Sequence, residues 1–412
     1  MTHKIAALDQ FYPADALFCA RTTRDVMRWN VPDITRLPEY RLDATPAQLA
    51  GFAGTLPFIA HEAAVTPVAL DFMLHCGLPG ASDLHVYRTV QEAEDLALEL
   101  MEKGLRLAYN FGTLPGLEAR DDQHLVAPDL YATLNAKQSL DTLVPPENVA
   151  PRVVLEPGAT ALPDVEGIKP PVYVKLAGGH STGGGAGVFH CSDDAALAGT
   201  LQQLSTQLAA GDALVVETDC KAVASWCAGV AILDDRVEWL GASCQVFDAP
   251  ARQIANEAGG RTMPDRVKDI SLQISSKAMA AGFRGIAGFD IGECEDGSFT
   301  AFDLNFRPNS STGLLLAHDA VRQRTGLPLM YSFYLHHDGP VAALLDVVEA
   351  DAAAGRVVPG SVFDAPTYGA TLDDPATRSC LDGWLAAETR EEAVAWIKAV
   401  QNRLAEKGPR GR

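Results

Sequence analysis

The chain has 412 residues, 47% of them hydrophobic and 21% charged, and a formal net charge of −20. This length suits two or three packed modules, and the apolar content excludes a disordered chain. So acidic a protein repels phosphate backbones, which argues against a nucleic-acid partner.

The sequence also argues against a secreted or membrane protein. Residues 1–10 lack the apolar core of a signal peptide, and no apolar run reaches the roughly 18 residues of a membrane span. The eight cysteines form no CxxC pair and no Cys/His cluster, so we expect small buried thiols and no zinc site. These features favour a cytoplasmic protein with no membrane partner.

The N-terminal third of the chain alternates strands with helices. We expect strands at Thr55–Ala60 and Leu105–Phe111, and helices at Ala64–Cys76 and Thr89–Lys103. This alternation is typical of an α/β module.

A proline-rich passage, Val144–Pro157, marks a boundary, and strands predominate beyond it. The expected strands are Val172–Lys175, Gly187–Cys191, Ala213–Glu217, Trp226–Leu233, Val237–Phe247, Ile286–Cys294 and Ser298–Asn305. The expected helices are Asp193–Ala210, capped by Ser192 or Asp193, and Asp265–Ala281, which ends at Gly282. After Gly339 we expect a mixture of helix and loop that ends in an amphipathic helix, Arg390–Leu404.

A lysine precedes a glycine-rich turn between two of these strands. The strand ending at Lys175 is followed by a turn that contains Gly183, Gly184 and Gly185. Glycine lets backbone N–H groups approach phosphate oxygens, and the lysine adds a positive charge. The order is the reverse of a P-loop, in which the lysine follows the glycines. A phosphate-binding loop and a solvated hairpin tip are both open on this pattern alone.

The predicted strand Ser298–Asn305, with the two residues that follow it, places three polar side chains on one face. Side chains alternate along a strand, so Asp303, Asn305 and Arg307 point the same way. Carboxylate and amide oxygens suit Mg²⁺, and a guanidinium suits a phosphoryl oxygen. Asp290, on the preceding strand, is expected to reach the same metal. The alternative is a half-buried strand with a solvated polar face.

Together, Lys175, Glu217 and the run Asp303-Leu304-Asn305-Phe306-Arg307 resemble the signature of the ATP-grasp superfamily. That signature is a lysine before a glycine-rich loop, an acidic hinge residue and a closing strand of the form E/D-x-N-x-R. The resemblance covers about residues 130–315. It implies an α/β (α+β) fold in three parts. These are an N-terminal α/β pre-ATP-grasp domain at 1–130, an ATP-grasp domain at 131–330 and a C-terminal α/β appendage at 331–412 that completes or packs on it. The grasp domain would consist of a small mobile lid, about 145–217, and a larger antiparallel sheet.

The resemblance also implies roles for individual residues. The expected catalytic residues are Lys175 and Arg307. The expected ATP-binding residues are Lys137, Lys175, Gly183, Gly184, Gly185, Glu217, Thr218 and Asp219. The expected metal ligands are Asp290, Asp303 and Asn305. The expected substrate-binding residues are Arg252, Asn256, Arg307, Ser310 and Ser311.

Three features depart from the common pattern of the superfamily. Asp303 replaces the commoner glutamate, and the hairpin between Asp290 and Asp303 is one residue longer than usual. Ser225-Trp226 stands where many members have a second glutamate. These departures concern the expected metal ligands Asp303 and Asp290 and the contact with the ribose.

Two more segments carry polar residues of interest. Gln245–Gly260 is expected to form a loop across the acceptor site, where Arg252 either holds a substrate carboxylate or is an ordinary surface arginine. His336-His337-Asp338 has no ligand spacing nearby, so we expect a structural role.

The function that the resemblance implies is ATP-dependent amide or peptide bond formation between a carboxylate and an amine, through an acyl phosphate, with release of ADP and phosphate. A carboxylate kinase, a ligase with a non-amine acceptor and a nucleotide-binding regulatory protein are the alternatives. The expected cofactors are ATP and Mg²⁺, as two ions, with Mn²⁺ as a substitute. The expected partners are small-molecule substrates, and a homodimer stays open.

Overall fold

The computed structural model describes residues 4–20, 45–156, 159, 167–177, 187–205, 213–369 and 378–407. In these ranges, one four-stranded parallel sheet, one four-stranded antiparallel sheet and one eight-stranded antiparallel sheet carry the fold. The α/β fold class expected from the sequence is confirmed.

The N-terminal sheet has the order β3-β2-β1-β4, with all strands parallel. Its strands are β1 (Ala16–Cys19), β2 (Phe58–His61), β3 (Leu84–Tyr87) and β4 (Arg106–Tyr109), and its helices are α1 (Pro67–His75) and α2 (Val90–Glu102). Helix α2 begins where the Thr89 hydroxyl accepts a hydrogen bond from the Glu92 N–H at 3.2 Å. The two predicted helices are confirmed to within three residues at each end, whereas β1 and β3 were not predicted.

Two short helices lead from this sheet towards the rest of the chain. They are α3 (Pro128–Asn135) and α4 (Leu140–Leu143). Single turns of 3-10 helix lie at Leu8–Gln10, Glu62–Ala64, Pro115–Leu117, Asp121–Gln123, Lys137–Ser139 and Pro146–Asn148, and a longer one at Thr45–Phe52.

The second sheet is antiparallel and has the order β5-β8-β6-β7. Its strands are β5 (Arg152–Leu155), β6 (Val172–Ala177), β7 (Val188–Cys191) and β8 (Ala213–Thr218), and its helix is α5 (Asp194–Ser205). The helix buries Leu197, Leu201 and Leu204 in a small core of its own with the sheet. Asp193 accepts a hydrogen bond from the Ala196 N–H at 2.9 Å, which confirms the predicted cap.

The large sheet has the order β13-β12-β9-β10-β11-β14-β16-β15. Its strands are β9 (Ala222–Ile232), β10 (Val237–Ala249), β11 (Arg252–Ala258), β12 (Gly285–Cys294), β13 (Phe299–Asn305), β14 (Leu329–His337), β15 (Val357–Phe363) and β16 (Ser379–Ala387). Helices α6 (Asp265–Ala281) and α7 (Thr312–Thr325) pack on it. Helix α6 ends at Gly282, whose φ of 105° favours glycine, as predicted.

A β-bulge sets the register of the β12–β13 hairpin. Asp290 pairs with Asp303, but the next residue, Ile291, pairs with Ala301. Phe302 is therefore the extra residue of the bulge. It accommodates the additional residue of this hairpin while Asp290 and Asp303 stay directly opposite each other.

Two predictions about local structure are wrong. The predicted loop at Gln245–Gly260 is the end of β10 followed by a central strand, β11. The region after Gly339 contributes two strands, β15 and β16, together with helices α8 (Ala342–Ala353), α9 (Ala365–Gly369) and α10 (Arg390–Lys407). Strands β14 to β16 extend the same sheet that contains β13, the predicted catalytic strand, so the C-terminal region and this strand share one sheet.

The boundaries predicted at residues 130 and 330 stay a prediction. Within the described ranges, no helix is both long and apolar enough to cross a membrane. All eight cysteines are free thiols, and all except Cys220 are buried, as the sequence predicted.

Candidate active site

Lys137 approaches the catalytic strand from the turn that follows α3. Its Nζ forms an ion pair with Asp303 Oδ1 at 2.9 Å. Burial alone would raise the pKa of Asp303, but the charge and hydrogen bond of Lys137 hold that pKa below its usual value. The Lys137 carbonyl accepts a hydrogen bond from Arg152, the first residue of β5, at 2.5 Å. Lys137 therefore connects the small antiparallel sheet to the large one.

Lys175 reaches the same strand from β6. Its Nζ donates to the carbonyl of Phe302 at 2.9 Å and forms an ion pair with Glu217 of β8. Both residues of this pair are deeply buried, with Lys175 6% and Glu217 4% exposed. The positive charge of Lys175 is thus held at the bulge, next to Asp303.

Asp290 and Asp303 bring two carboxylates together across the hairpin. Burial, and then the negative charge of Asp303, raises the pKa of Asp290 to about 6. Its Oδ1 is shielded from solvent and has no hydrogen-bond partner among the described residues. Such a carboxylate oxygen is costly to leave unpaired, and it suits a cation.

The donor set at this hairpin fits Mg²⁺. Asp290 and Asp303 supply carboxylate oxygens and Asn305 an amide oxygen, which are the hard ligands that Mg²⁺ prefers. Among the described residues there is no cluster of three His, Cys, Asp or Glu that could hold a metal on its own. An ion here would therefore take its remaining ligands from water and from nucleotide phosphates, as Mg²⁺ commonly does.

Arg307 lies just beyond the end of β13. Its Nη2 donates to Asn305 Oδ1 at 2.8 Å, and its guanidinium lies 4.9 Å from the centre of the Phe111 ring. The residue is 6% exposed. The guanidinium is thus fixed beside the predicted metal ligands, between the catalytic strand and the N-terminal sheet.

A cavity of about 670 Å³ opens between the two antiparallel sheets. This volume lies within the range of roughly 300–1,000 Å³ that is usual for small-molecule sites. Of the residues predicted for ATP and metal, those on its wall are Lys137, Lys175, Glu217, Thr218, Asp219, Asp290 and Asp303. The structure therefore brings together residues that lie up to 166 positions apart in the sequence.

Other predicted ATP ligands make contacts within the protein. Asp219 accepts from the Lys221 N–H at 2.8 Å and approaches His190 Nε2 at 3.2 Å. Thr218 donates to the carbonyl of Gly167 at 3.2 Å. Gly183, Gly184 and Gly185 lie outside the described residues. All these ATP assignments stay predictions.

The predicted substrate residues Asn256, Ser310 and Ser311 lie in a network of hydrogen bonds that joins β10 and β11 to the segment before α7. Asn256 Nδ2 donates to Ser310 Oγ at 3.2 Å, and Ser311 Oγ lies 2.7 Å from Ser243 Oγ. Gln253 joins the network through Asn256 Oδ1 at 2.8 Å. Asn256 and Ser311 are buried, and neither they nor Ser310 line the cavity, so their substrate role stays a prediction.

Arg252, also predicted to bind substrate, lies at the surface. It forms an ion pair with Asp248 across the turn between β10 and β11. Its side chain is 60% exposed. Of its neighbours, Asp248, Ala251 and Gln253 line the cavity, whereas Arg252 does not. Its substrate role stays a prediction.

The His336-His337-Asp338 run lies away from this site. It borders a separate cavity of about 310 Å³ with residues of α10, and Asp338 forms an ion pair with Arg378 at 2.5 Å. No residue of this cavity lines the one between the antiparallel sheets.

Sequence reasoning missed two residues that organise the site. Arg152 bonds the carbonyl of Lys137, and Asn135 Oδ1 accepts from the Phe306 N–H at 3.0 Å. Neither stands in a recognisable pattern, and the second contact joins residues 171 positions apart. The sequence offered one signal, the position of Asn135 two residues before Lys137, and none for Arg152.

Two family models match this chain. The model described as the L-aspartate–L-methionine ligase N-terminal domain matches residues 7–132, and the one described as L-aspartate–L-methionine ligase, ATP grasp, matches residues 151–305. The second match contains Lys175, Glu217 and the catalytic strand. The chain belongs to the ATP-grasp superfamily. It is an ATP-dependent ligase that joins a carboxylate to an amine with formation of a C–N bond.

Solved structures of ATP-grasp enzymes have the same fold at low sequence identity. An L-amino acid ligase from Bacillus licheniformis is 13% identical, with a TM-score of 0.52 over 94% of this chain and 96% of that one. An N5-carboxyaminoimidazole ribonucleotide synthetase with ADP is 10% identical, with a TM-score of 0.57 over 95% and 97%. An N5-carboxyaminoimidazole synthase from Aspergillus clavatus, with ADP and 5-aminoimidazole ribonucleotide, is 12% identical, with a TM-score of 0.53 over 95% and 98%. These likenesses concern the fold of the ATP-grasp chain and not its substrates.

Proposed function

We propose that this ATP-grasp ligase joins L-aspartate to L-methionine through an acyl phosphate, with ATP and Mg²⁺. The substrates come from the description of the two family models, which match residues 7–132 and 151–305. The observation that carries the chemistry is the pair of facing carboxylates, Asp290 and Asp303, on the wall of the same cavity as Lys137 and Lys175.

The first step is transfer of the γ-phosphoryl group. A carboxylate oxygen of L-aspartate attacks the γ-phosphorus, the bond to the ADP oxygen breaks, and an acyl phosphate forms. Such a transfer depends on positioning and on neutralisation of charge. Lys137 and Lys175 neutralise phosphate oxygens, and Arg307 steadies the group in transfer. Bound Mg²⁺, held by Asp290, Asp303 and Asn305, would supply further charge neutralisation at the phosphates.

The second step is amide formation. The amino nitrogen of L-methionine attacks the acyl carbon, phosphate leaves, and the amine proton passes to solvent. The site needs no protein nucleophile, since the phosphate is already a good leaving group. Arg307 is fixed by Asn305 and the Phe111 ring, so it can stabilise the departing phosphate without moving.

The two lysine–carboxylate ion pairs of the cavity must exchange partners when ATP binds. Lys137 is paired with Asp303, and Lys175 with Glu217, in this structure. ATP brings phosphates that attract both lysines and a metal that attracts Asp303. Nucleotide and metal therefore replace partners that the four side chains already have. This exchange reduces the net free energy gained when ATP and metal bind.

Two cations on the cavity wall suit the substrates. L-aspartate and L-methionine together carry three carboxylates, of which one is activated. Lys221 and Arg261 line the cavity and form no ion pair with any carboxylate in the described part of the chain. We propose Arg261, which also lies 6.0 Å from the Trp226 ring, as a binding residue for one of the remaining carboxylates.

The proposal is tested with purified protein, Mg·ATP and pairs of amino acids. L-aspartate with L-methionine should give ADP, phosphate and a dipeptide in equal amounts, detected by coupled assay and mass spectrometry. Omission of L-methionine should stop dipeptide formation, and replacement of L-aspartate by L-asparagine or L-glutamate should lower it strongly. ADP formation with another pair and none with this one would show that the substrates are wrong while the ligase chemistry stands.

A further inference from the structure

Helix α3 is hydrogen-bonded to the end of the catalytic strand, β13. Asn135, the last residue of this helix, makes two hydrogen bonds through its side chain. Its Oδ1 accepts from the Phe306 N–H at 3.0 Å, and its Nδ2 donates to the Tyr131 carbonyl at 2.9 Å. Phe306 is fully buried and lies between Asn305 and Arg307.

The first of these bonds acts at the end of β13. The strand ends at Asn305, so Phe306 and Arg307 lack the regular ladder of hydrogen bonds that fixes the preceding residues. An anchored N–H at Phe306 fixes the backbone on both sides of it. The side chains that depend on this backbone are the metal-suited amide of Asn305 and the guanidinium of Arg307, which bond each other at 2.8 Å.

The segment 135–137 contacts β13 at a second point. Two residues after Asn135, Lys137 forms its ion pair with Asp303. When ATP and metal replace that ion pair, the segment loses this contact, while the contact of Asn135 with Phe306 involves no charge and stays in place. Asn135 therefore holds the strand during the step in which Lys137 releases it.

We propose that Asn135 is a positioning residue for phosphoryl transfer, acting through the Phe306 N–H on Asn305 and Arg307. This inference rests on the proposed roles of those two residues. Displacement of reacting groups by about 1 Å can cost on the order of 100-fold in rate. Loss of the anchor should therefore lower kcat far more than it changes the KM for ATP, whose other contacts lie elsewhere in the cavity.

The two bonds of Asn135 allow a discriminating pair of variants. Asn135→Leu is similar in shape and removes both bonds. Asn135→Asp keeps an acceptor for the Phe306 N–H but cannot donate to the Tyr131 carbonyl. A positioning role depends on the first bond, whereas a role limited to the end of α3 depends on the second.

The experiment measures ADP release with L-aspartate, L-methionine and Mg·ATP, together with the thermal midpoint. We expect Asn135→Leu to lower kcat by about 10- to 100-fold with the KM for ATP changed less than about threefold, and Asn135→Asp to keep kcat within about fivefold of wild type. If Asn135→Leu does not fold, Asn135→Ala, which also removes both bonds, takes its place, and a loss of kcat in Asn135→Asp like that expected for leucine overturns the role. An unchanged kcat in folded Asn135→Leu also overturns it. Absence of activity in the wild-type enzyme would instead refute the proposed substrates.

Discussion

Asp290 and Asp303 face each other as direct cross-strand partners, and a bulge at Phe302 makes this possible in a hairpin with one residue more than usual. Without the bulge, the residue opposite Asp290 would be Phe302, and the side chain of Asp303 would lie on the other face of the sheet. The chemistry assigned to this ligase therefore depends on an irregularity in the strand that carries it.

Removal of one carboxylate should stop catalysis and leave the fold intact. We expect Asp303→Asn to lower turnover by roughly 100-fold or more, because the metal loses a charged ligand, with a thermal midpoint close to wild type. ADP release and thermal unfolding are the measurements. Asp296→Asn is the matched control, since Asp296 lies in the turn of the same hairpin and its acceptor for the Ser298 N–H is preserved. Wild-type turnover in folded Asp303→Asn would refute the metal assignment.

The bulge itself can be tested through its neighbour. A Cβ at Gly292 would overlap the Phe302 ring. We expect Gly292→Ala to destabilise the protein by about 1–3 kcal/mol through overpacking and to lower turnover, because Phe302 must move. Urea unfolding and ADP release measure the two effects. Gly199→Ala, in α5, meets nothing within 4 Å and should be neutral or slightly stabilising. Equal behaviour of the two variants would show that the bulge tolerates displacement.

The buried Lys175–Glu217 pair has a consequence for stability. Lys175→Met leaves Glu217 buried without its cation, and loss of one partner of a buried pair typically costs about 3–5 kcal/mol. Lys175→Met with Glu217→Gln removes both charges, so we expect the double variant to be more stable than the single one. Chemical denaturation of the three proteins measures this. A double variant less stable than Lys175→Met would contradict the expected buried ion pair.

Arg261 and Arg252 are the two candidates for binding a substrate carboxylate. We expect Arg261→Gln to raise the KM for one amino acid about tenfold, as for loss of a charged hydrogen bond, without change in the KM for ATP. Arg252→Gln should change neither, because Arg252 is exposed and paired with Asp248. Steady-state kinetics with each substrate varied in turn measures both. A larger effect of Arg252→Gln would instead support the substrate role predicted for Arg252 from the sequence.

The sequence predicted the elements whose pattern is local. Alternation along 302–307 was enough to place Asp303 and Asn305 on one face, and Asp265–Ala281 was predicted with its bounds because its helical spacing ends at a glycine. Both patterns depend on side chains within a few residues of one another. The fold class was implied by the resemblance of Lys175, Glu217 and residues 303–307 to the ATP-grasp signature.

Strand β15 shows why other elements could not be predicted. It contains Pro359-Gly360, which reads as a turn because proline cannot donate to a ladder of hydrogen bonds. In the structure, β15 is the edge strand of the large sheet, and its register shifts between Pro359 and Ser361. A proline is tolerated at an edge or a bulge, but neither is visible until the partner strand, β16, is known.

The site contacts that were missed have the same cause. The bond from Asn135 to the Phe306 N–H joins residues 171 positions apart, and the bond from Arg152 to the Lys137 carbonyl uses a backbone atom that carries no sequence signal. Contacts of this kind follow from the assembled sheets and not from any motif.

The central claim is that this ligase activates a carboxylate as an acyl phosphate. The most direct measurement uses L-aspartate with ¹⁸O in its carboxylates, together with L-methionine and Mg·ATP. Attack of a carboxylate oxygen on the γ-phosphorus predicts that one ¹⁸O atom appears in the inorganic phosphate for each dipeptide formed, with ADP as the other product. Dipeptide formation with unlabelled phosphate, or with the label in AMP, would contradict the mechanism.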